Sequence, residues 1–186
     1  MRYVKKGPLA VNVRDLHGRP GEMREQEITL ALPEQFGEGL MVVPAGKELS
    51  VQVRLESVHE GIYVTAQVET EAVGECGRCL DEFTEPVEVE FAELFAYSSD
   101  EASEHEVHDD HVDLEPLIRD AVVLSLPFQP VCRPDCPGLD PETGERLADI
   151  PDYEPRKIVD PRWAALAEFS PDQGAGTPDA GNTEER

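Results

Sequence analysis

The sequence predicts an α+β fold: an antiparallel β-meander or partly closed barrel packed by one main helix, with a cysteine-containing loop region and a disordered tail. Three neighbouring segments alternate apolar and polar residues, as strands with one buried face do. One later segment follows the helical period, and the four cysteines fall in two pairs outside these patterns. A chain of 186 residues is long enough to bury one core of this kind.

The predicted strands come first along the chain. Residues 9–16 (LAVNVRDL) alternate briefly and predict a short strand. Residues 48–58 and 62–73 alternate over a longer stretch, and the short loop between them contains glycine, which predicts a hairpin. Residues 84–95 (TEPVEVEFAELF) predict a third strand, so the three long segments form an antiparallel meander.

The predicted helix covers residues 114–125, where apolar residues recur at the helical period. Asp113 is its expected N-cap, and Pro127 is expected to end it. We expect this helix to lie against the apolar face of the meander. Residues 98–113, just before it, hold seven acidic residues, three histidines and no lysine or arginine, which predicts a mobile acidic loop.

Composition divides the chain into four predicted parts. A basic N-terminal arm covers residues 1–24, and the main domain covers residues 25–150. A short C-terminal extension, residues 151–169, contains a second possible helix that begins at Pro161. Residues 170–186 are rich in Gly, Pro, Asp and Thr and are predicted to be disordered.

The net charge is -24, and it is unevenly distributed. Such a charge opposes binding to a phosphate backbone, so a basic protein or a cation is a more natural partner than bare RNA. Residues 1–24 are the exception, with six Lys and Arg against two acids. Any direct RNA contact is therefore expected from the basic side chains of this arm, namely Arg2, Lys5, Lys6, Arg14 and Arg19.

The sequence predicts a cytoplasmic protein. No apolar run approaches the roughly 20 residues of a membrane span, and no signal-peptide core follows the N-terminus. Thiols are normally reduced in the cytoplasm, so four cysteines indicate metal ligands or redox groups before disulfides.

The four cysteines have the spacing of a zinc site. Cys76 and Cys79 form a C-x2-C pair, and Cys132 and Cys136 form a C-x3-C pair fifty-two residues later. Zinc prefers four tetrahedral ligands, and a tight turn lets two thiolates reach one ion. We therefore expect one structural zinc ion, provided that the helix folds back on the meander and brings the pairs together.

Three interpretations other than a zinc site stay open, two for the cysteines and one for the histidines. A C-x-x-C pair can be a thiol redox centre, although such centres usually begin a helix in a βαβ unit. The thiols can also simply be free. His105, His108 and His111 lie among acidic residues, so a metal-responsive regulator or carrier is a further alternative. The sequence contains no nucleophile motif, phosphate-binding loop or H-E-x-x-H, and we expect no enzymatic activity.

The sequence at residues 76–83 (CGRCLDEF), together with the upstream stretch LESVHEGIYV at residues 55–64, resembles the YceD family, the large ribosomal RNA subunit accumulation proteins. The resemblance continues through the helix at residues 113–127 and a P-V-C-x-x-x-C-x-G-L segment at residues 130–139. It covers roughly residues 9–150. Many relatives have further cysteines after the G-L, where this chain has Asp140 and Thr143.

The resemblance implies a ribosome biogenesis factor that supports the accumulation or processing of large-subunit (23S) ribosomal RNA. It implies no chemical reaction. The expected partners are the pre-ribosomal large subunit or its RNA, and a basic ribosomal protein or an RNA-processing enzyme. No membrane and no small-molecule substrate are expected.

Overall fold

The structure, a computed structural model, describes residues 7–98 and 105–150 together with Arg162. In this part of the chain the elements follow in the order β1 (Ala10–Asn12), β2 (Met23–Ala31), β3 (Met41–Val42), β4 (Glu48–Ser57), β5 (Gly61–Glu75), β6 (Glu82–Ala96), β7 (His111–Asp113) and α1 (Glu115–Ser125). A single 3-10 turn follows at Leu147–Asp149. The predicted α+β class is confirmed.

The centre of the fold is the antiparallel meander of β4, β5 and β6. β4 pairs with β5 from Ser57↔Ile62 to Ser50↔Glu69, and β6 pairs with β5 along its whole length. β2 adds to the free side of β4, and β3 pairs with the far end of β5. The sheet does not close, so a meander forms rather than a barrel.

One face of the meander holds the core. The inward-facing side chains of β4 and β5 are all buried: Leu49, Val51, Val53, Leu55, Ile62, Val64, Ala66 and Val68. They alternate with exposed polar residues, because successive side chains of a strand point to opposite faces. Burial of each large aliphatic side chain contributes about 1.5–3 kcal/mol, so this row provides much of the stability.

Helix α1 covers the inner face, as the sequence predicts, with Ile118 and Val122 buried in the same core as the strands. It begins at Glu115 with Leu114 as its N-cap, one residue later than predicted. Asp113 still accepts a hydrogen bond from the Glu115 backbone N–H at 3.1 Å, so its carboxylate acts on the first turn as expected. The helix ends at Ser125, two residues before Pro127.

Three strands were not predicted: β2, the two-residue β3 and β7. β2 lies at an edge of the sheet, and only Ile28 and Leu30 of its core-facing residues are apolar, which leaves little periodic signal. β7 lies within the predicted acidic loop and pairs with β1, Ala10↔Asp113 to Asn12↔His111. The second part of that loop, residues 105–113, is therefore ordered by pairing; residues 99–104 lie outside the described residues.

Residues 9–16, which precede β2, contribute apolar side chains to the core. Leu9, Val11, Val13 and Leu16 are all buried in the main cluster. The packing therefore continues across the predicted boundary between an arm (1–24) and the main domain.

The predictions for the C-terminal part remain untested. The possible second helix and the tail beyond residue 170 lie outside the described residues. In the portion of the chain that is described, no helix has the length and apolarity to cross a membrane.

Candidate metal centre

The two cysteine pairs lie on two loops that meet at one end of the sheet. Cys76 and Cys79 sit on the turn between β5 and β6, where the Leu80 N–H donates to the Cys76 carbonyl at 2.9 Å. Cys132 and Cys136 lie on the proline-rich loop after α1. The Gly77 N–H donates to the Pro130 carbonyl at 2.9 Å, so a backbone hydrogen bond joins the two loops directly.

The sulfur positions match a tetrahedral site. All four Sγ atoms lie within 4.8 Å of one another. The Cys76 and Cys136 sulfurs are 3.9 Å apart, and those of Cys79 and Cys132 are 3.7 Å apart. Four thiolates at about 2.3 Å from one zinc ion would lie about 3.8 Å from one another, whereas a disulfide requires about 2.05 Å. The donor set therefore fits a single zinc ion, and the four cysteines are free thiols.

The cluster is shielded from water. Cys76, Cys79 and Cys136 are buried and Cys132 is half-buried, with Phe83 and Val131 packed against them. A site with four thiolates has no ligand position for water or substrate. This arrangement can hold two distant loops together, and it offers no open position for catalysis at a metal.

Hydrogen bonds and burial shift the pKa values of three of the four thiols in different directions. The pKa of Cys76 is lowered to about 6, chiefly by a backbone hydrogen bond from Cys132, although burial acts against this. A backbone hydrogen bond from Asp81 lowers the pKa of Cys79, but burial and the other three thiols outweigh it and raise this pKa to about 12. Burial also raises the pKa of Cys132. One thiolate therefore forms readily, and further protons must leave when a metal binds.

Arg78 lies between the loops and ties them together. Its guanidinium donates to the carbonyls of Pro134 and Cys136 at 3.1 and 3.0 Å, and its backbone N–H approaches the Cys76 sulfur at 3.5 Å. Gly138 is the other supporting residue. It has a φ of +83°, and a Cβ there would lie 3.1 Å from the Arg78 carbonyl oxygen. Sequence reasoning missed both roles, although a glycine two residues after Cys136 was a signal for a tight turn.

The later loop is closed by an ion pair between Arg146 and Asp81, next to the cysteine turn. Asp140 and Thr143, where the family resemblance places further cysteines, have a local role. The Asp140 carboxylate accepts the backbone N–H groups of Glu142 and Thr143 at 2.8 and 3.0 Å, which shapes a turn.

Among the described residues, the three histidines do not come together with acidic side chains in a metal site. His108 approaches Glu106 at 3.6 Å, whereas the His111 ring contacts the Asp109 carbonyl and the Asn12 side chain. His105 lies against the Phe95 ring at 5.5 Å between centroids. Within residues 7–98 and 105–150, the cysteines are the one group of ligand atoms close enough to share an ion.

The basic residues predicted to touch RNA are only partly described. Arg2, Lys5 and Lys6 lie outside the described residues. Arg14 and Arg19 are exposed, and each approaches a carboxylate, Asp110 at 4.0 Å and Glu22 at 3.7 Å. Their charges are thus partly offset by neighbouring acids.

Comparisons with known proteins identify relatives of this chain by sequence. Residues 64–170, more than half of the chain, match the family model described as "Large ribosomal RNA subunit accumulation protein YceD". The chain is 45% identical over 169 residues to "Uncharacterized protein Rv2926c" of Mycobacterium tuberculosis, covering 87% of this chain and 81% of that protein.

More distant relatives extend the similarity. "Uncharacterized protein ML1660" of Mycobacterium leprae is 36% identical over 87% of this chain and 77% of its own length. "Uncharacterized protein YlbN" of Bacillus subtilis is 31% identical over 49% of this chain and 56% of its own length. No solved structure matches the chain.

Proposed function

This chain belongs to the YceD family of large ribosomal RNA subunit accumulation proteins, and we propose that it is a cytoplasmic ribosome biogenesis factor. It supports the accumulation or processing of 23S ribosomal RNA through contacts with proteins, and any contact with RNA uses its basic N-terminal residues. The observation that carries this proposal is the family match over residues 64–170.

The protein acts by binding rather than by catalysis. The support for this part of the proposal is the buried four-cysteine cluster, which provides a complete ligand set for one structural zinc ion. Cys76, Cys79, Cys132 and Cys136 hold the ion, which joins the end of the meander to the loop after the helix.

The partner is a basic protein of the assembling large subunit or a basic RNA-processing enzyme. The outer face of the sheet supports this choice, because glutamates lie opposite each other on neighbouring strands, at Glu69↔Glu88 and Glu75↔Glu82. Like charges directly opposite one another destabilise a sheet, and a cationic partner relieves that repulsion. Complementary charge also makes the encounter fast and sensitive to salt.

Sedimentation of the tagged protein in its own cells tests the proposal. We expect the protein to migrate with precursor large subunits in a low-salt sucrose gradient. A pull-down of the tagged protein should recover basic ribosomal proteins or a processing enzyme. Cells without the gene should accumulate less mature 23S ribosomal RNA. Sedimentation as free protein, together with unchanged 23S ribosomal RNA in the deletion strain, would refute the assembly role.

A thiol redox protein is the second candidate, and the low pKa of Cys76 beside three other thiols favours it. This candidate predicts that the purified protein contains no stoichiometric zinc and cycles between dithiol and disulfide in glutathione buffers. Stoichiometric zinc that protects all four thiols from alkylation would eliminate it.

A further inference from the structure

Three large apolar side chains are exposed on segments next to the cysteines in the chain: the cysteine turn, the last turn of α1 and the loop that leads to Cys132. Phe128 is 93% exposed, Leu124 is 84% exposed and Leu80 is 57% exposed. Soluble monomers rarely gather exposed apolar side chains in one place, and such patches commonly mark interaction sites. The fold does not use these three side chains for its core, so their surface role needs a separate explanation.

A groove and a backbone hydrogen bond connect the segments that carry these side chains. Leu126 and Pro127, which directly follow the end of α1, line a groove of about 130 Å³ together with Met41, Pro86 and Val87. Phe128 is the next residue. Two residues further on, the Pro130 carbonyl accepts the Gly77 N–H, which ties the chain to the cysteine turn that carries Leu80.

Leu80 is unusual in its backbone as well as in its exposure. Its φ is +60°, in the left-handed region that leucine rarely adopts. A residue that is both strained and exposed contributes little to folding, and strain of this kind tends to occur at functional positions. The cysteine turn therefore holds an apolar side chain outward into solvent.

The surroundings of the groove are acidic. Glu85 and Glu88 line it on the β6 side. Helix α1 points its C-terminal end toward the groove and has no basic residue in its last turn, so no side chain of that turn offsets the negative end of the helix dipole. A ligand for this surface would combine an apolar side chain with nearby positive charge.

We infer that Leu80, Leu124 and Phe128, with Glu85 and Glu88, form a docking surface, the cysteine-end patch. Its ligand is a lysine- or arginine-rich segment of another protein that carries an apolar side chain. The inference deepens the proposed function and rests on it for the source of the partner, the basic proteins of the large subunit.

Charge distinguishes this ligand from two other occupants. A second copy of the chain carries a net charge of -24 and would be repelled. Residues 151–186 of the same chain hold eight acidic and four basic side chains, so they too are net negative. A cationic segment is the occupant that the acidic surroundings favour.

The test uses the full-length, metal-loaded protein and short overlapping peptides that cover the large-subunit ribosomal proteins of the source organism. Peptides that bind on an array are then labelled with fluorescein and titrated by anisotropy. We expect the binding peptides to place Lys or Arg next to an aromatic or large aliphatic residue. Phe128→Ala should weaken their binding about tenfold or more, as expected for an aromatic anchor.

Charge variants test the acidic part of the patch. Glu85→Gln with Glu88→Gln should reduce both the affinity and its dependence on salt. Matched controls lie on the outer face of the sheet: Tyr63→Ala for the aromatic change, and Glu25→Gln with Glu27→Gln for the charge change. Thermal melting should be the same for all these variants, because every replaced side chain is exposed.

Several outcomes would overturn the inference. It is wrong if no peptide binds, if Phe128→Ala binds as tightly as the wild type, or if the sheet-face controls weaken binding equally. Self-association that Phe128→Ala abolishes would identify a second copy as the occupant. If Phe128→Ala changes the fluorescence emission of Trp163, the single tryptophan, and the control variants do not, residues 151–186 are the occupant of the patch. If Phe128→Ala still migrates with precursor large subunits, the proposed function stands and only the patch is removed.

Discussion

At the scale of single residues, the four cysteines decide whether the protein binds a metal. We predict that Cys76→Ser lowers the bound zinc from one equivalent to a small fraction, because three thiolates and a hydroxyl form a poorer site. The metal content of the purified variants measures this directly. His108→Ala and His111→Ala are the controls, since neither ring lies near the cysteine cluster. Zinc lost from the histidine variants, but kept by Cys76→Ser, would contradict the assignment.

The pH dependence of zinc binding follows from the thiol pKa values. Cys79 and Cys132 have raised pKa values, so both are protonated near neutral pH and zinc must displace at least these two protons. Zinc affinity should therefore fall by about a hundredfold or more for each pH unit lost. Below pH about 6, Cys76 also takes up a proton, and the dependence should steepen.

Competition with a chromophoric zinc chelator across a pH series measures this slope. The chelator needs its own calibration at each pH, because its affinity also changes with protonation. An affinity for zinc that stays flat between pH 6 and 8 would mean that the ligands are not these thiols.

The sequence predicted the cysteines of the cluster, but not the residues that hold the two cysteine loops together. Spacing alone identified Cys76 and Cys79 as a pair, because a C-x2-C turn is a local feature. The bridging role of Arg78 could not be predicted, because its partners Pro134 and Cys136 are about sixty residues away in the chain. Contacts of this kind depend on how the loops fold together, which local patterns do not encode.

At the scale of elements, helix α1 should depend on its buried face. We predict that Ile118→Ala lowers the free energy of unfolding by about 3 kcal/mol, since it leaves a cavity among the buried residues of the core. Leu124→Ala on the same helix is the control, with an expected change within about 0.5 kcal/mol because its side chain is 84% exposed. Urea denaturation of both variants, followed by circular dichroism, measures the difference. Equal losses would mean that α1 does not pack as described.

The accuracy of the strand predictions follows the number of buried apolar residues. β4 and β5 each bury a full alternating row, and the sequence predicted both, together with the hairpin between them. β2 was missed because Arg24 and Gln26 take core-facing places at the sheet edge, where the hydrocarbon part of a long side chain can pack. β7 was missed because three residues among acids give no period, and only its distant partner β1 makes it a strand.

At the scale of the whole molecule, the cysteine cluster joins the end of the meander to the loop after the helix. We predict that removing zinc with a strong chelator lowers the melting temperature by about 10 °C or more, since a ligand at a thousand times its Kd adds about 4 kcal/mol. Differential scanning calorimetry of the same sample before chelation, after chelation and after zinc is restored measures this shift. Identical melting in all three states would show that the cluster does not contribute to stability through a metal.

The pairing of β1 with β7 determines when β1 can be buried during synthesis of the chain. Leu9 and Val11 are synthesised well before residues 111–113, which pair with β1 and are made about a hundred residues later. Contacts of such long sequence separation form late, because the intervening chain must first be closed into a loop. The side chains of Leu9 and Val11 therefore stay uncovered until β7 has been translated, and in that interval we expect this apolar segment to be accessible to chaperones.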